Sequence, residues 1–507
     1  MGRLAWVLVV VGSAGCGSAE DLTLPKTFLY GSAIAGFQVE MGCPTISAAE
    51  CEDRSSDWYT YITRPELVQD PMLFIAGDPP SSGPGFFELY PQDLDRVTNE
   101  LHGNALRLSI EWSRLFPTAT DGIEGHAALL QVASPAALAY YHALFDAIKA
   151  HGLQPLVTLN HYTLPIWIED AYGCHVDFAN CTNRGWVDHD RILHEIAKYA
   201  GFVGEEFGDR IDLYATLNEP LTAVVLTAYL FQTAQRTNPP AVFLKTTEAK
   251  QAMATMIEAH ARMYDAVKAA DTVDADGDGT AARVGIVYNL QAVAAADPTD
   301  AQDQKGAENL NYLENEAFLD GVIKGDLDAN LDGNPTHRDD LTNRMDFLGV
   351  NYYARTIAQG TPTSFFPDVS PLLTFNPIGL TYDYAYPKGI YEVLMFAKQR
   401  YGVPMYISET GAEDKTNSGV AADWIVQTLT WVKRAIRDGA SVGGYFYWTL
   451  MDNYEWNHGM SFALGLYAVD KNDPQKTRVP RTSVATYAKI ATAGGIPPEL
   501  AAQHPAK

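Results

Sequence analysis

Two glutamates that each follow a short apolar run are the residues of this chain best placed to do chemistry. Glu219 comes two residues after the run 211–217, and Glu409 comes two residues after the run 403–407. Buried strands that each present a carboxylate at their C-terminal end are how a (β/α)₈ barrel builds a two-carboxylate site. Two such groups across one cleft can break a glycosidic bond, one protonating the leaving oxygen and the other attacking the anomeric carbon. Either glutamate alone is also compatible with a structural ion pair.

The elements around these glutamates predict an α/β fold, a single (β/α)₈ TIM barrel with long loops on its catalytic face. Short apolar runs alternate with helical patterns, which indicates a closed parallel sheet. The predicted strands are 28–33, 105–108, 155–159, 213–217, 283–288, 347–350, 405–407 and 444–447. The predicted helices are 135–151, 190–207, 247–270, 389–401 and 423–438. Stretches 43–100 and 355–388, rich in Pro, Gly, Ser and aromatic residues, are predicted as loops at the barrel mouth.

Polar and aromatic side chains follow most of these strands at the point where each strand ends. Because strand C-termini meet at one face of such a barrel, we expect these side chains to share a site. Gln, Asn, His and Glu bind sugar hydroxyls, and tryptophan packs on the apolar face of a sugar ring. The expected members are Gln38, Arg107, His161, Asn218, Glu219, Tyr353, Glu409, Trp448, Glu455 and Trp456.

Composition and motifs exclude several other classes of function. The net charge of −26, from 36 basic and 62 acidic residues, disfavours nucleic acid and anionic lipid as partners. The sequence has neither a P-loop nor a dinucleotide fingerprint. No histidine-rich constellation accompanies the two glutamates, so metal-assisted hydrolysis is not expected.

The N-terminus is predicted to be a signal peptide over residues 1–20, followed by the barrel over 21–495 and a tail over 496–507. Arg3 precedes an apolar run, residues 4–11, that is too short to span a bilayer. Residues 13–16 resemble a bacterial lipoprotein cleavage site, in which Cys16 would carry the lipid and anchor the protein to a membrane. Ordinary secretion with cleavage near Ala19 is the alternative. Both interpretations place the mature protein outside the cytoplasm.

Export changes the interpretation of the remaining four cysteines. Cys43 lies close to Cys51, and Cys174 lies close to Cys181. In an oxidising compartment these two local pairs predict two short-loop disulfides. Four free buried thiols are the alternative.

Two acidic insertions are typical of loops that bind a structural calcium ion. Each offers oxygen ligands at alternate positions and a glycine that permits a tight turn. Both lie outside the proposed sugar site, so an ion there would act on stability rather than on chemistry. A solvated acidic turn is the alternative. The candidate ligands are Asp328, Asn330, Asp332 and Asp339 in one loop and Asp274, Asp276 and Asp278 in the other.

Ordered motifs along nearly the whole chain resemble those of glycoside hydrolase family 1, the β-glucosidase family. They lie at residues 28–40, 107–114, 218–220, 346–353, 407–409 and 447–456. The segment from residues 56–58 through 83–85 is similar to the archaeal β-glycosidase branch. The resemblance implies a retaining, exo-acting β-glycosidase that needs no cofactor for catalysis.

The resemblance also implies a role for each matching residue. Glu219 matches the acid/base and Glu409 the nucleophile, whose pKa Arg107 and Tyr353 are expected to lower while aiming it. A cis peptide bond is expected at Trp448-Thr449. The residues that match the sugar-binding positions are Gln38, His161, Asn218, Glu455 and Trp456.

The expected substrate is a neutral β-linked oligosaccharide or an aryl or alkyl β-glycoside. Glu455 is retained where phospho-glycosidases of the family have serine, which favours a neutral sugar. Thr410, Leu221 and Leu464 depart from the family pattern and leave glucose, galactose and fucose open. A transglycosylase with the same site is one alternative, and a catalytically inactive carbohydrate-binding surface protein is another.

Overall fold

Eight parallel strands close into a barrel in the computed structural model, which describes residues 20–362, 374–376 and 379–506. Cys16 and residues 1–19 of the predicted signal peptide lie outside the described residues. Each strand pairs with its neighbours in the chain, and the eighth pairs with the first, with Ala33 opposite Trp448. The strands are Leu29–Ala33, Ala105–Ser109, Gln154–Asn160, Leu213–Asn218, Arg283–Asn289, Phe347–Asn351, Met405–Thr410 and Val442–Trp448.

A helix follows each strand and packs on the outside of the barrel, as the alternation of patterns predicted. Local capping fixes several starts: Ser134 Oγ accepts the N–H of Ala137, and Asp300 accepts the N–H of Gln302. The helices are Phe86–Asp95, Pro135–Ala150, His189–Phe207, Thr246–Ala270, Ala301–Asn311, Gly389–Arg400, Val420–Arg437 and Thr482–Ala493.

The stretch 43–100 is more helical than its composition suggested, so the prediction of a plain loop there is wrong. It contains helices at Ala48–Cys51, Asp57–Thr63, Pro65–Val68 and Phe86–Asp95. Ser56 Oγ caps one of them by accepting the N–H of Trp58 at 3.2 Å. The first three are too short for a periodic apolar pattern to reveal them, and Pro91 lies inside the fourth, where a helix is not expected from the sequence. Within 355–388, Arg355–Ala358 and Thr381–Asp383 form a small sheet with Ala292–Ala295.

Several further elements connect these strands and helices, among them the helical segment Pro220–Leu230 directly after Glu219. Helices occur at Gly36–Glu40, Trp112–Leu115, His126–Leu130, Ala171–Val176 and Pro498–Gln503. Two-residue strands pair Asp326–Leu327 with Thr336–His337 and Tyr467–Ala468 with Val479–Pro480.

Apolar side chains from alternate strands fill the barrel interior, and polar groups are therefore concentrated at its ends. The interior cluster includes Leu156, Leu213, Val287, Phe347 and Phe446, all buried. A closed and filled barrel is a rigid support, which is what a site assembled from several strand ends requires.

Both predicted disulfides are present, Cys43 with Cys51 and Cys174 with Cys181. They lie in segments that follow the first and third strands on the catalytic face. The peptide bond between Trp448 and Thr449 is cis, as predicted. In the described part of the chain, no helix has the length and apolar character needed to cross a membrane.

Candidate active site

Glu219 and Glu409 lie at the same end of the barrel, at the C-terminal ends of the fourth and seventh strands. Both are buried, with 8% and 4% of their surface exposed. Glu219 has a backbone φ of 44°, a left-handed conformation that costs energy for a residue with a Cβ. Such strain at a polar residue next to a strand end is typical of a functional site.

Arg107 and Tyr353 bind Glu409 directly. Arg107 forms an ion pair with Glu409 through Nη1, and the Tyr353 hydroxyl donates to Oε2 of Glu409 at 2.7 Å. The guanidinium is itself fixed, because its Nη2 donates to Asn218 Oδ1 at 2.7 Å and its Nε donates to Thr158 Oγ1 at 3.2 Å. These contacts orient the carboxylate and stabilise its charge.

The pKa of Glu409 is nevertheless raised in the free site. Burial raises the pKa of this carboxyl to about 7; the neighbouring Glu219 carboxylate also raises it, while Arg107 and the Tyr353 hydroxyl lower it. The expected net lowering is therefore wrong, because desolvation outweighs the cation. The carboxyl of Glu409 therefore gains or loses its proton near neutral pH in the free site.

Tyr162 and Asn351 hold Glu219, and neither was assigned this role from the sequence. The Tyr162 hydroxyl donates to Oε2 of Glu219 and Asn351 Nδ2 donates to Oε1, both at 2.7 Å. Asn351 also accepts from Ser408 Oγ at 2.7 Å, which ties it to the strand that carries Glu409. Asn351 thus links the segments that carry the two glutamates. Its place at the end of the sixth strand was the signal available in the sequence.

Gln38 and Glu455 form one polar wall of the site. Gln38 Nε2 donates to Glu455 Oε2 at 3.0 Å and to the Tyr454 carbonyl at 3.1 Å. Gln38 is fully buried, yet its Oε1 has no hydrogen-bond partner among the described residues. Because a buried acceptor left unpaired is costly, this atom is suited to accept a hydrogen bond from a hydroxyl of a bound ligand.

His161 and two tryptophans form an adjoining wall. His161 Nε2 accepts from Asn218 Nδ2 at 3.2 Å, while its buried Nδ1 has no partner within the described part of the chain. Burial lowers the pKa of His161 well below its ordinary value, so the ring is neutral. Its plane lies within 17° of that of Trp448 and 16° of that of Trp456. The wall therefore combines a neutral polar edge with apolar faces, as a sugar ring requires.

The structure brings the sugar-site residues predicted from the sequence into one connected set. It adds Tyr162, Asn351 and Arg236, of which Arg236 donates to Glu455 Oε1 at 3.0 Å. The connected predicted members are Gln38, Arg107, His161, Asn218, Glu219, Tyr353, Glu409, Trp448, Glu455 and Trp456.

The acidic loop 274–279 lies away from this set and gathers three carboxylates. Oxygens of Asp212, Asp274 and Asp276 lie within 4.8 Å of one another. Asp278 instead forms an ion pair with Arg283. Asp212, which precedes the fourth strand, was missed because no spacing rule connects it to a loop more than sixty residues later.

The acidic loop 328–339 closes its turn as the loop 274–279 does, where Asp274 accepts the N–H groups of Gly277 and Gly279, but among the described residues it gathers no comparable cluster of carboxylates. The buried Asp328 accepts the N–H groups of Asp332 at 3.1 Å and Gly333 at 2.7 Å, so its oxygens already close the turn. Asn330 is exposed, and the Asp339 side chain is fully exposed. The backbone turn expected from the sequence is present, with Gly333 at a φ of 78°.

Comparison with known proteins identifies the family. The model of glycosyl hydrolase family 1 matches residues 20–496. The chain belongs to this family. It is 33% identical to a β-galactosidase of Pyrococcus woesei over 93% of this chain and 98% of that protein. This family 1 member is thus a β-glycosidase, a glycoside hydrolase that acts on O-glycosyl bonds.

Solved structures agree with the barrel and with the family. The β-glycosidase of Thermosphaera aggregans superposes with a TM-score of 0.81 at 28% identity, covering 96% of this chain and all of that one. The β-glucosidase of Pyrococcus furiosus superposes with a TM-score of 0.78 at 26% identity, covering 95% and 98%. The similarity to archaeal glycosidases noted in the sequence is therefore confirmed for this family 1 enzyme.

Proposed function

We propose that this family 1 enzyme is a retaining, exo-acting β-glycosidase that hydrolyses terminal β-D-glucosides or related neutral β-glycosides. The observation that carries the proposal is that the two glutamates contact different kinds of partner. Glu409 contacts a guanidinium, whereas the side-chain donors to Glu219 among the described residues are neutral, Tyr162 and Asn351. A nucleophile needs the first environment and an acid that must release and recover a proton suits the second.

The mechanism follows from these contacts. Ionised Glu409 attacks the anomeric carbon while Glu219 gives its proton to the leaving oxygen, which forms a covalent glycosyl-enzyme. Glu219, now ionised, takes a proton from water, and the hydroxide attacks the same carbon from the opposite side to Glu409. Two inversions give net retention. Tyr353 and Arg107 hold the nucleophile in line, and the tryptophans exclude bulk water from the sugar.

A neutral glycone is supported by the unpaired atoms of the site. Gln38 Oε1 can accept a hydrogen bond from a sugar hydroxyl, and the Nδ1–H of neutral His161 can donate one to a sugar oxygen. Glu455 would repel a second negative charge placed beside it. A panel of aryl β-glycosides that differ only in the sugar tests this proposal, and preferred turnover of a phosphorylated sugar would contradict it.

Retention of configuration has its own test. We expect the carboxyl groups of Glu219 and Glu409 to lie about 5–5.5 Å apart, the separation typical of retaining enzymes. Methanolysis followed in real time by NMR should give the β-methyl glycoside first. A first product of α configuration would exclude Glu409 as the nucleophile.

Transfer of the glycosyl group to an acceptor other than water uses the same covalent intermediate and stays an alternative. The ratio of transfer product to free sugar, measured at increasing acceptor concentration, separates the two. A binding protein without catalysis is disfavoured because Glu219 and Glu409 both occupy the site. Turnover of any aryl glycoside excludes it.

We also propose that the protein is exported, with Cys16 lipidated or with cleavage near Ala19. The two disulfides support an oxidising compartment, since such bonds are rare in the cytosol. Mass spectrometry of the mature N-terminus distinguishes a lipidated cysteine from a free terminus. An uncleaved chain in the cytoplasm would contradict export.

Structural calcium stays a proposal, and the placement of carboxylates favours the loop 274–279. Asp212, Asp274 and Asp276 supply hard oxygen ligands close together, as calcium prefers. Chelation should lower the melting temperature, calcium should restore it, and the pH profile of catalysis should not change. An unchanged melting temperature with no metal by elemental analysis would dispose of the ion.

A further inference from the structure

Arg236 reaches the catalytic face from a segment that belongs to none of the barrel strands. Its Nη2 donates to Glu455 Oε1 at 3.0 Å, opposite the bond from Gln38 to the other carboxylate oxygen. Its guanidinium carbon lies 6.0 Å from the ring centres of both Tyr162 and Trp456. Arg236 therefore sits between a sugar-binding carboxylate and the tyrosine that holds the acid/base.

Neighbouring residues fix Arg236 in this place. Thr237 is buried and donates from its hydroxyl to the Leu73 carbonyl at 2.8 Å. Asn238 is buried and donates to Thr227 Oγ1 at 2.6 Å. A guanidinium carried directly before two anchored residues is oriented before any substrate binds, so little side-chain entropy is lost on binding.

One nitrogen of Arg236 is left without a partner. Nη1 is buried, and it has no hydrogen-bond acceptor among the described residues. A buried charged donor without an acceptor is destabilising unless something else supplies one. The acceptor required here is a ligand oxygen close to both Nη1 and the carboxylate of Glu455.

We propose that Arg236 is a specificity-determining residue that binds a glycone hydroxyl together with Glu455; this rests on the proposed function. A hydroxyl can accept a hydrogen bond from Nη1 of Arg236 and donate one to the carboxylate of Glu455, so it satisfies both partners at once. A carboxylate or phosphate could accept from Arg236 but would face the negative charge of Glu455. The guanidinium–carboxylate pair therefore selects a neutral hydroxyl over an anionic substituent.

The test is a substrate cycle with the Arg236→Met variant. The probes are a parent aryl β-glycoside and its monodeoxy analogues, each lacking one hydroxyl. On the parent, kcat/KM should fall about 10- to 150-fold, the range for a hydrogen bond to a charged group. On the one analogue that lacks the contacted hydroxyl, wild type and variant should be nearly equal. Arg236→Lys should recover part of the loss, because lysine keeps the charge but not the planar fork.

Two results would overturn the proposal. An unchanged kcat/KM on the parent would show that Arg236 does not bind the sugar. An equal fall on the parent and on every analogue would show that Arg236 only positions Glu455. Arg437→Met, an exposed arginine paired with Glu20 and Asp438, is the matched control and should leave kcat/KM unchanged.

Failure of the proposed function is distinguished by two further readouts. Turnover of the parent glycoside by the wild type tests that function separately. Calorimetric binding of a neutral iminosugar to wild type and Arg236→Met reports the contact without any turnover. Equal affinity of the two proteins for the iminosugar would also overturn the proposal.

Discussion

Two buried arginine–carboxylate pairs in this molecule look alike but differ in what surrounds them. At the first, Arg478 binds Asp93 through two parallel bonds of 3.0 and 2.6 Å, with both side chains almost fully buried. The remaining nitrogen of Arg478 donates to two backbone carbonyls, and Arg96 also donates to Asp93 at 3.0 Å. The carboxylate of Asp93 thus has two guanidinium partners, and every guanidinium nitrogen of Arg478 has an acceptor.

At the second, Arg107 is equally well bonded, but it is the only guanidinium in contact with Glu409 among the described residues. Glu219 lies near enough to raise the pKa of Glu409, so the Arg107 cation that lowers this pKa is opposed by a second carboxyl group. Gln38 and His161 beside them each keep a buried atom that has no hydrogen-bond partner in the part of the chain that the structure describes. The site therefore holds uncompensated charge and unused hydrogen-bonding capacity.

The contrast separates a pair that stabilises the fold from one that does chemistry. A bidentate pair whose groups are fully hydrogen-bonded, such as Arg478 with Asp93, has no bonding capacity left for a ligand. Excess charge together with unpaired donors and acceptors is costly for stability and persists where a ligand or a transition state uses it. Substitutions at the two pairs should therefore affect different properties of the protein.

The largest effect is expected for Glu409→Gly, which removes the nucleophile from the second pair. Turnover should fall by about 10⁴- to 10⁶-fold, since the covalent step is lost. Added azide or formate should restore part of the rate with an activated aryl glycoside and yield an α-linked product. Product configuration is read by NMR. Residual turnover with β products and no response to azide would reassign the nucleophile.

Glu219→Ala should have a large effect that depends on the leaving group. Substrates with poor leaving groups need protonation, so their turnover should drop about 10²- to 10⁴-fold. Activated aryl glycosides should lose far less in the glycosylation step. The slope of rate against leaving-group pKa is the measurement. Equal losses on both substrate classes would mean that Glu219 is structural.

Arg478→Met should act on stability and not on chemistry. The buried Asp93 then keeps only the single bond from Arg96, and removing one partner of a buried pair costs about 3–5 kcal/mol. Urea unfolding measures that loss, and kcat of the remaining folded enzyme at 25 °C should stay at the wild-type level. Arg107→Met is the matched comparison, and it should lower kcat instead. Similar kcat losses in both variants would remove the distinction drawn here.

The barrel could be predicted from the sequence because each strand is a short apolar run followed by a polar group. The apolar run that ends at Leu217 corresponds to a strand that ends at Asn218. The run that ends at Ile407 corresponds to a strand that ends at Thr410. The helices of 43–100 could not be predicted, because their order comes from single caps such as Ser56 and from packing against the rim. Composition indicated a loop where tertiary contacts stabilise helical turns.

Site residues were predictable only where they follow a strand or match a motif. Glu219, Glu409 and His161 satisfy that rule. Arg236 does not, because it lies in a connecting segment whose path to Glu455 depends on contacts made far along the chain. The pKa of Glu409 could not be predicted either. Arg107 was expected beside Glu409, but the burial that raises this pKa is a property of the folded molecule.

The smallest effect we predict is a shift in the pH profile of the second pair. Glu409 must be ionised to attack, so kcat/KM should decline as pH falls through about 7, the raised pKa of the free site. Glu219→Gln removes a negative neighbour that raises this pKa, so the acid limb should move to lower pH. Tyr353→Phe removes a donor that lowers it, so the limb should move to higher pH. A dinitrophenyl glycoside, which needs no protonation, is the substrate for both profiles. An acid limb that does not move to lower pH in Glu219→Gln would show that Glu219 does not raise the pKa of Glu409, and one that does not move to higher pH in Tyr353→Phe would show that the Tyr353 hydroxyl does not lower it.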